Sequence, residues 1–293
     1  MRNSRQWLLI LLILIWAISW PVIKVGVSTM TPLWYACSRY LIAAFCLFVV
    51  VGSRRALELP PRSDWPLVIV CALLQMAAYS ALTGTALTIL PAGRASVLAF
   101  STPLWVVPLA TLGLQERMKP AGLIGVCLGI MGAFAIASPS LHGKGRHEAV
   151  AYAMLIGAAG AWACAIVLVR AHRFTATPLA LAPWQMLIAT VSLLPIAYLI
   201  EGAPPPIGAS AAATLAYVGP IATAFAYWAV VETGRHFRAT TMSMALLAVP
   251  AIGIVISGLA LGERMDRSLF TGVVLIAIGI RLATGRTAPS KKM

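Results

Sequence analysis

The sequence predicts an all-α integral membrane protein of ten transmembrane helices arranged as two inverted five-helix repeats, and three observations predict it. Of its 293 residues 60% are hydrophobic and only 10% charged, with a mean hydropathy of +0.90, outside the range of soluble globular domains. Ten segments carry the roughly 20 apolar residues that a spanning helix needs. The chain also repeats itself. A shift of 146 residues lays Trp16 on Trp162, Lys24 on Arg170, Pro32 on Pro178 and Arg39 on Gln185. A shift of 147 lays Pro103 on Pro250, Glu116-Arg117 on Glu263-Arg264, Gly125 on Gly272 and Gly132 on Gly279. Membrane strands would alternate polar and apolar residues, which runs such as Leu8 to Ile15 and Val273 to Ile280 do not.

The first span, about residues 7–27, follows Arg2 and Arg5 and resembles a signal peptide at Ala17-Ile18-Ser19. Its Trp16 to Pro32 stretch recurs as Trp162 to Pro178, so it is read as a permanent helix. Span 2, about 33–52, carries Arg39 one to two turns from its start. Span 3, about 65–88, carries Gln75, Tyr79 and Thr83 at four-residue spacing, with Met76 and Ser80 beside them. Span 4, about 93–113, holds Pro103, Trp105 and Pro108. Span 5, about 119–138, places Gly122, Gly125, Gly129 and Gly132 where a partner helix can approach closely. Spans 6 to 10, about 149–170, 179–200, 210–232, 240–261 and 268–285, repeat this order with Trp162, Gln185, Tyr227, Pro250 and Gly272 as landmarks.

Lys and Arg beside spanning helices stay on the cytoplasmic side. With the N-terminus inside, fifteen of these residues fall inside and six outside, so both termini are expected to be cytoplasmic. Five spans per half is an odd number, so the halves must be inverted. Residues 1–293 are read as one membrane domain, with 1–138 the first repeat and 149–293 the second. The net charge of +14 is scattered through short loops, which fits topology signals and anionic headgroups rather than nucleic acid. Cys37, Cys46, Cys71, Cys127 and Cys164 all fall within spans, unpaired in spacing, as apolar filler rather than a metal site.

Trp16-x3-Trp20-Pro21-x2-Lys24, followed by Pro32-x6-Arg39, resembles the first helical hairpin of the drug/metabolite transporter superfamily in its ten-helix EamA-type branch. Pro103 and Glu116, and Pro250 and Glu263 at the same interval, resemble that branch's fourth and ninth helices. The chain is most similar there to bacterial exporters of aromatic amino acids. The resemblance implies two inverted five-helix repeats around a central cavity, lined mainly by helices 1, 3, 4, 6, 8 and 9, in the bacterial inner membrane.

All eight acidic residues and all four histidines fall in loops or at helix ends. A proton-driven transporter usually keeps such a group at midplane. Its absence favours facilitated export and disfavours permanent cations as substrates. Glu232, the nearest exception, is spaced to pair with Arg235 or His236. Trp16, Trp20, Trp105 and Trp162 lie deep, where an indole N–H needs a partner. With Gln75, Tyr79, Ser80, Thr83, Tyr227 and Ser243 they form the candidate substrate-binding set. Each could equally be hydrogen-bonded glue between helices; together they suit a planar apolar side chain on a zwitterionic head. Lys24 and Arg39 either snorkel to the interface or close a mouth and attract a carboxylate. Pro103 and Pro250 are hinge candidates. No metalloprotease, diphosphate or phosphate-loop motif supports an enzyme, and no cofactor is expected. The reading is a facilitative exporter of aromatic and other bulky neutral amino acids working by alternating access, with a small molecule and membrane lipid as partners and a monomer favoured. The alternative is a broad drug/metabolite exporter driven by proton antiport.

Overall fold

The structure, a computed structural model, describes residues 2–55, 57–114, 120–141, 145–172, 174–237, 242 and 245–284. Among them every regular element is helical. In lipid a segment must satisfy its own backbone groups, which is why apolar runs of this length become helices. The helices are α1 (Arg2–Thr29), α2 (Pro32–Ser53), α3 (Trp65–Ile89), α4 (Ala92–Gly113), α5 (Pro120–Leu141), α6 (Gly145–Ala171), α7 (Pro178–Glu201), α8 (Ala209–Gly234), α9 (Ala248–Leu261) and α10 (Arg267–Thr284). Pro32, Pro120 and Pro178 open their helices, where a missing N–H removes no intrahelical bond.

The packing follows the duplication. α5 lies along α10 and α2 along α7; α3 packs on α6 as α8 packs on α1, and α4 packs on α6 as α9 packs on α1. Each contact keeps its counterpart when the repeats are exchanged, so the protein is a bundle of two inverted five-helix repeats. The α5–α10 crossing is the tightest. A Cβ on Gly132 would stand 2.8 Å from the Gly272 carbonyl oxygen, and one on Gly279 would stand 2.6 Å from that of Gly125. The small residues seen in span 5 therefore admit a helix of the same chain.

Carboxylates tie the repeats together at both ends. Glu201, closing α7, accepts from the backbone N–H groups of Leu33 (2.9 Å) and Trp34 (3.1 Å) in the first turn of α2. Glu263, after α9, accepts from Ala92 (2.6 Å) and Gly93 (2.9 Å) at the start of α4. At the opposite end Asp64 accepts from Thr175 (3.0 Å) and Ala176 (2.9 Å), just before α7. An anion at a helix start meets unpaired donors and the positive end of the helix dipole. Burial alone would raise the Asp64 carboxyl; the hydrogen bonds from Ala176, Thr175 and Ser63 outweigh it and hold the group below its ordinary value. Asp266 is held low in the same way, burial being outweighed by Leu269 N–H, the Ser268 hydroxyl and its ion pair with Arg94.

Candidate functional site

Between the repeats lies a cavity of about 160 Å³. Its rings come from both halves. Tyr79 on α3 meets Trp162 on α6 edge to face, with centroids 4.7 Å apart. Trp16 and Trp20 on α1, one turn apart, both stand edge to face with Phe100, with centroids 6.3 and 6.2 Å away. These offset geometries are the favoured ones for aromatic pairs and fix the rings as walls.

Two irregular segments shape the polar side. Cys71–Ala78 in α3 and Val218–Phe225 in α8 are π-helical, and they stand 147 residues apart, at equivalent places in the repeats. Such wide turns alter which carbonyls and side chains face inward. Tyr40 on α2 donates to the Met76 carbonyl (3.2 Å) and shares a hydrogen bond with Ser80 Oγ (2.7 Å). Trp16 Nε1 donates to the Ala222 carbonyl (3.2 Å). Thr223 Oγ1 donates to Val218 O (2.7 Å), five residues back, and accepts from Arg39 Nε (2.8 Å). Tyr227 OH donates to Gln185 Oε1 (3.1 Å). Tyr40, Trp16 and Arg39 thus brace the two segments from other helices, while Thr223 bonds within its own and Tyr227 ties α8 to α7.

α4 is interrupted at Phe100 and Ser101, between Ala92–Ala99 and Thr102–Gly113, because Pro103 has no N–H to give the Ala99 carbonyl four residues back and its ring crowds that oxygen. Leu247, the equivalent of Phe100 at a shift of 147, is likewise a turn residue ahead of α9. Pro103 and Pro250 thus each follow a break in their helix by three residues.

Of the residues singled out in the sequence, Trp16, Trp20, Gln75, Tyr79, Thr83 and Trp162 line the cavity, as do Tyr227 and Arg39. Ser80 is buried beside it and bonded to Tyr40. Lys24 turns to the end of α3, its Nζ donating to the carbonyls of Leu87 and Leu90 (3.1 Å to the latter). It borders a separate cleft of about 420 Å³ with Pro91 and Glu263 at the α1–α2 end of the bundle. Trp105 is not brought to the cavity: beyond the α4 break it packs with Val106, Ala110, Ala163 and Val167 against α6. Ser243 and Glu116 lie outside the described residues. The helices that form the wall also differ from those the family resemblance implied. α2 supplies Arg39 and Tyr40 and α7 supplies Met186, whereas α9 supplies none among the described residues. Sequence reading missed Phe100, Tyr40 and Thr223. Thr223 lies one turn before Tyr227 on the same face, a signal that was available; Phe100 becomes a wall only because the helix stops there. Glu232 pairs with Arg235 (3.5 Å) and His236 (3.1 Å), away from the cavity lining.

A family model described as the EamA-like transporter family matches residues 4–138 and again 149–285. A probable terminal-alkyne amino-acid exporter of Streptantibioticus cattleyicolor is 30% identical over 97% of this chain and 95% of its own. Probable amino-acid metabolite efflux pumps of Salmonella typhimurium and Escherichia coli are 28% and 27% identical, over 96% and 93% of this chain and 94% and 92% of theirs. A solved crystal structure of a protein 20% identical shares the fold, with a TM-score of 0.66 and 99% of both chains covered.

Proposed function

This chain belongs to the EamA-like transporter family and is a small-molecule efflux transporter of the membrane, and from that premise we propose that it exports aromatic and other bulky neutral amino acids from the cytoplasm. The observation that carries the reading is the ring-walled cavity between the repeats, bounded by Trp16, Trp20, Tyr79, Phe100 and Trp162, with no carboxylate in its lining among the described residues. Rings with a few neutral hydrogen-bonding groups select a planar apolar side chain. The names of the Streptantibioticus, Salmonella and Escherichia relatives, which concern amino acids or their metabolites, support the same class.

Transport is facilitative, since the acidic and imidazole groups of the described residues stand at helix ends rather than in the cavity, and a coupling proton needs a titratable group there. The substrate is exposed alternately to the two sides by movement of repeat 1–138 against repeat 149–293, with the breaks ahead of Pro103 and Pro250 absorbing the change. Both termini are cytoplasmic by the distribution of Lys and Arg. The α1–α2 end, with Lys24, Glu201 and Glu263, is then the external face. Uptake of labelled phenylalanine into liposomes holding the purified protein, with and without an imposed pH gradient, tests this. Saturable flux that follows the amino-acid gradient alone is expected. Accumulation driven by the pH gradient overturns the facilitative mechanism, and absence of flux overturns the substrate class.

A further inference from the structure

Arg39 lies eight residues into α2, roughly 10 Å along the helix from its start at 1.5 Å per residue. A guanidinium at that depth in a membrane bundle is costly, and it is kept where it meets an anion or a water-filled space. Arg39 lines the cavity instead of reaching back toward the interface. Two contacts fix it there. Its Nε donates to Thr223 Oγ1, which is itself anchored on Val218 O, and its guanidinium stands 5.0 Å from the centroid of the Tyr40 ring. Among the described residues no carboxylate pairs with it, and no hydrogen bond occupies its terminal nitrogens. The carboxylate that meets the start of this helix, Glu201 of α7, is used by the N–H groups of Leu33 and Trp34.

The second repeat does not duplicate the charge. Gln185, at the place of Arg39, is neutral, and its Oε1 is taken by Tyr227. Among the described residues the cavity lining therefore holds one cation, whose terminal nitrogens make no hydrogen bond, and no carboxylate to meet a substrate ammonium. A guanidinium held at its Nε edge offers the fork that binds a carboxylate in two parallel bonds.

We propose that Arg39 anchors the carboxylate of the substrate and determines specificity, so that the cavity takes aryl monocarboxylates with or without an α-amino group and rejects aryl amines that lack a carboxylate. This rests on the cavity being the substrate site. The α-amino group of an amino acid meets only rings and neutral groups such as Ser19, Gln75 and Thr83 among the described lining residues, so its removal costs far less than loss of the carboxylate. An amine without the carboxylate places a second positive charge beside Arg39 with nothing to offset it.

The test is a fluorescence titration of the purified protein, whose cavity tryptophans Trp16, Trp20 and Trp162 report occupancy, with phenylalanine, 3-phenylpropanoate and 2-phenylethylamine at neutral pH, alongside phenylalanine flux in liposomes. The wild type is expected to bind the two carboxylates within a few-fold of each other and the amine at least 10-fold more weakly. Arg39→Gln is expected to weaken both carboxylates by roughly 10- to 100-fold, the scale of losing a charged hydrogen-bonding partner, and to shrink the gap to the amine. Arg39→Lys keeps part of the affinity, since it retains charge without the fork. Equal binding of amine and amino acid by the wild type overturns the proposal even if no Arg39 variant folds. Carboxylate affinities unchanged in a folded Arg39→Gln overturn it as well. If wild-type liposomes carry phenylalanine while either of these results holds, the export reading stands and the anchor alone falls. If they carry no phenylalanine yet 3-phenylpropanoate binds through Arg39, the anchor stands and the amino-acid export reading falls; if neither ligand binds, both fall.

Discussion

Replacing Gly132 by leucine puts the close backbone crossing of α5 and α10 under direct test. The first atom added, Cβ, would lie 2.8 Å from the Gly272 carbonyl oxygen, 2.8 Å from Ile276 Cγ1 and 3.0 Å from the Ile276 nitrogen. Two of those three atoms are backbone, so no rotamer change relieves the contact and α5 must move away from α10. Overpacking of this kind costs about 1–3 kcal/mol, and with three further carbons the upper end applies. Loss of a helix glycine recovers about 1 kcal/mol, leaving a net loss of about 2 kcal/mol. At about 2–4 °C per kcal/mol for chains approaching this size, the melting temperature should fall by about 4–8 °C. The assay is thermal unfolding in detergent, followed by intrinsic fluorescence and by loss of the monodisperse peak. Gly160→Ala in α6 is the control, since its Cβ would meet nothing within 4 Å; it should melt at or slightly above the wild type. A Gly132→Leu protein as stable as the control would show that the crossing is looser than the carbonyl contacts imply.

Three further outcomes are expected. Trp162→Ala removes the edge-to-face partner of Tyr79, a contact on the scale of about 0.5–1.5 kcal/mol, and should raise the KM for phenylalanine several-fold in liposomes and lower the melting temperature by about 1–6 °C; normal KM for every aromatic substrate would remove Trp162 from the site. Glu263→Gln retains one accepting oxygen but sets an NH2 donor against the other of the Ala92 and Gly93 N–H groups and loses the charge, a loss of about 1.5–3 kcal/mol. In a background without cysteines, Ser28→Cys, in the cleft beside Glu263, should then react several-fold faster with a membrane-impermeant maleimide, and an unchanged rate would mean the cap does not hold that end shut. The depressed Asp64 carboxyl contributes stability that is complete above the ordinary aspartate value of 3.8 and is lost as pH falls from there through its lower folded value. Asp64→Asn should be less stable at neutral pH and show a flatter stability profile below pH 3.8, checked by unfolding across an acid series.

The spans and their duplication were legible because both are linear properties. A run of apolar residues long enough to cross lipid reads the same in any packing, and Trp16 with Trp162 or Gly125 with Gly272 needs only an offset to be seen. The stripe of Gln75, Tyr79 and Thr83 also survived, all three reaching the cavity although part of it is π-helical. Trp105 did not, because depth in a span says nothing of the side it faces. The interruption at Phe100 and Ser101 resets the rotational phase of everything after it, so Trp105 faces α6 while Phe100 becomes the wall. Arg39 could be read as a cation in a span, but its partner Thr223 is 184 residues away, and only the folded pairing of α2 with α8 joins them. Glu263 was visible as the acid closing a helix; that it caps the first turn of α4 in the other repeat follows from contacts between helices that no spacing encodes.

The paired wide turns at Cys71–Ala78 and Val218–Phe225 give each repeat a helix holding spare length. A wide turn becomes regular helix by moving its hydrogen bonds to acceptors one residue along, a change that stays inside the helix. Taking up the spare length turns all that follows by about 100°, one residue's worth of helix. Tyr79 begins immediately after one such store, as Ala226 does after the other, so a small change of winding there would exchange which side chains the passing molecule meets. Because the two helices run in opposite directions, the same event in one repeat and then in the other would present that change first from one side of the membrane and then from the other.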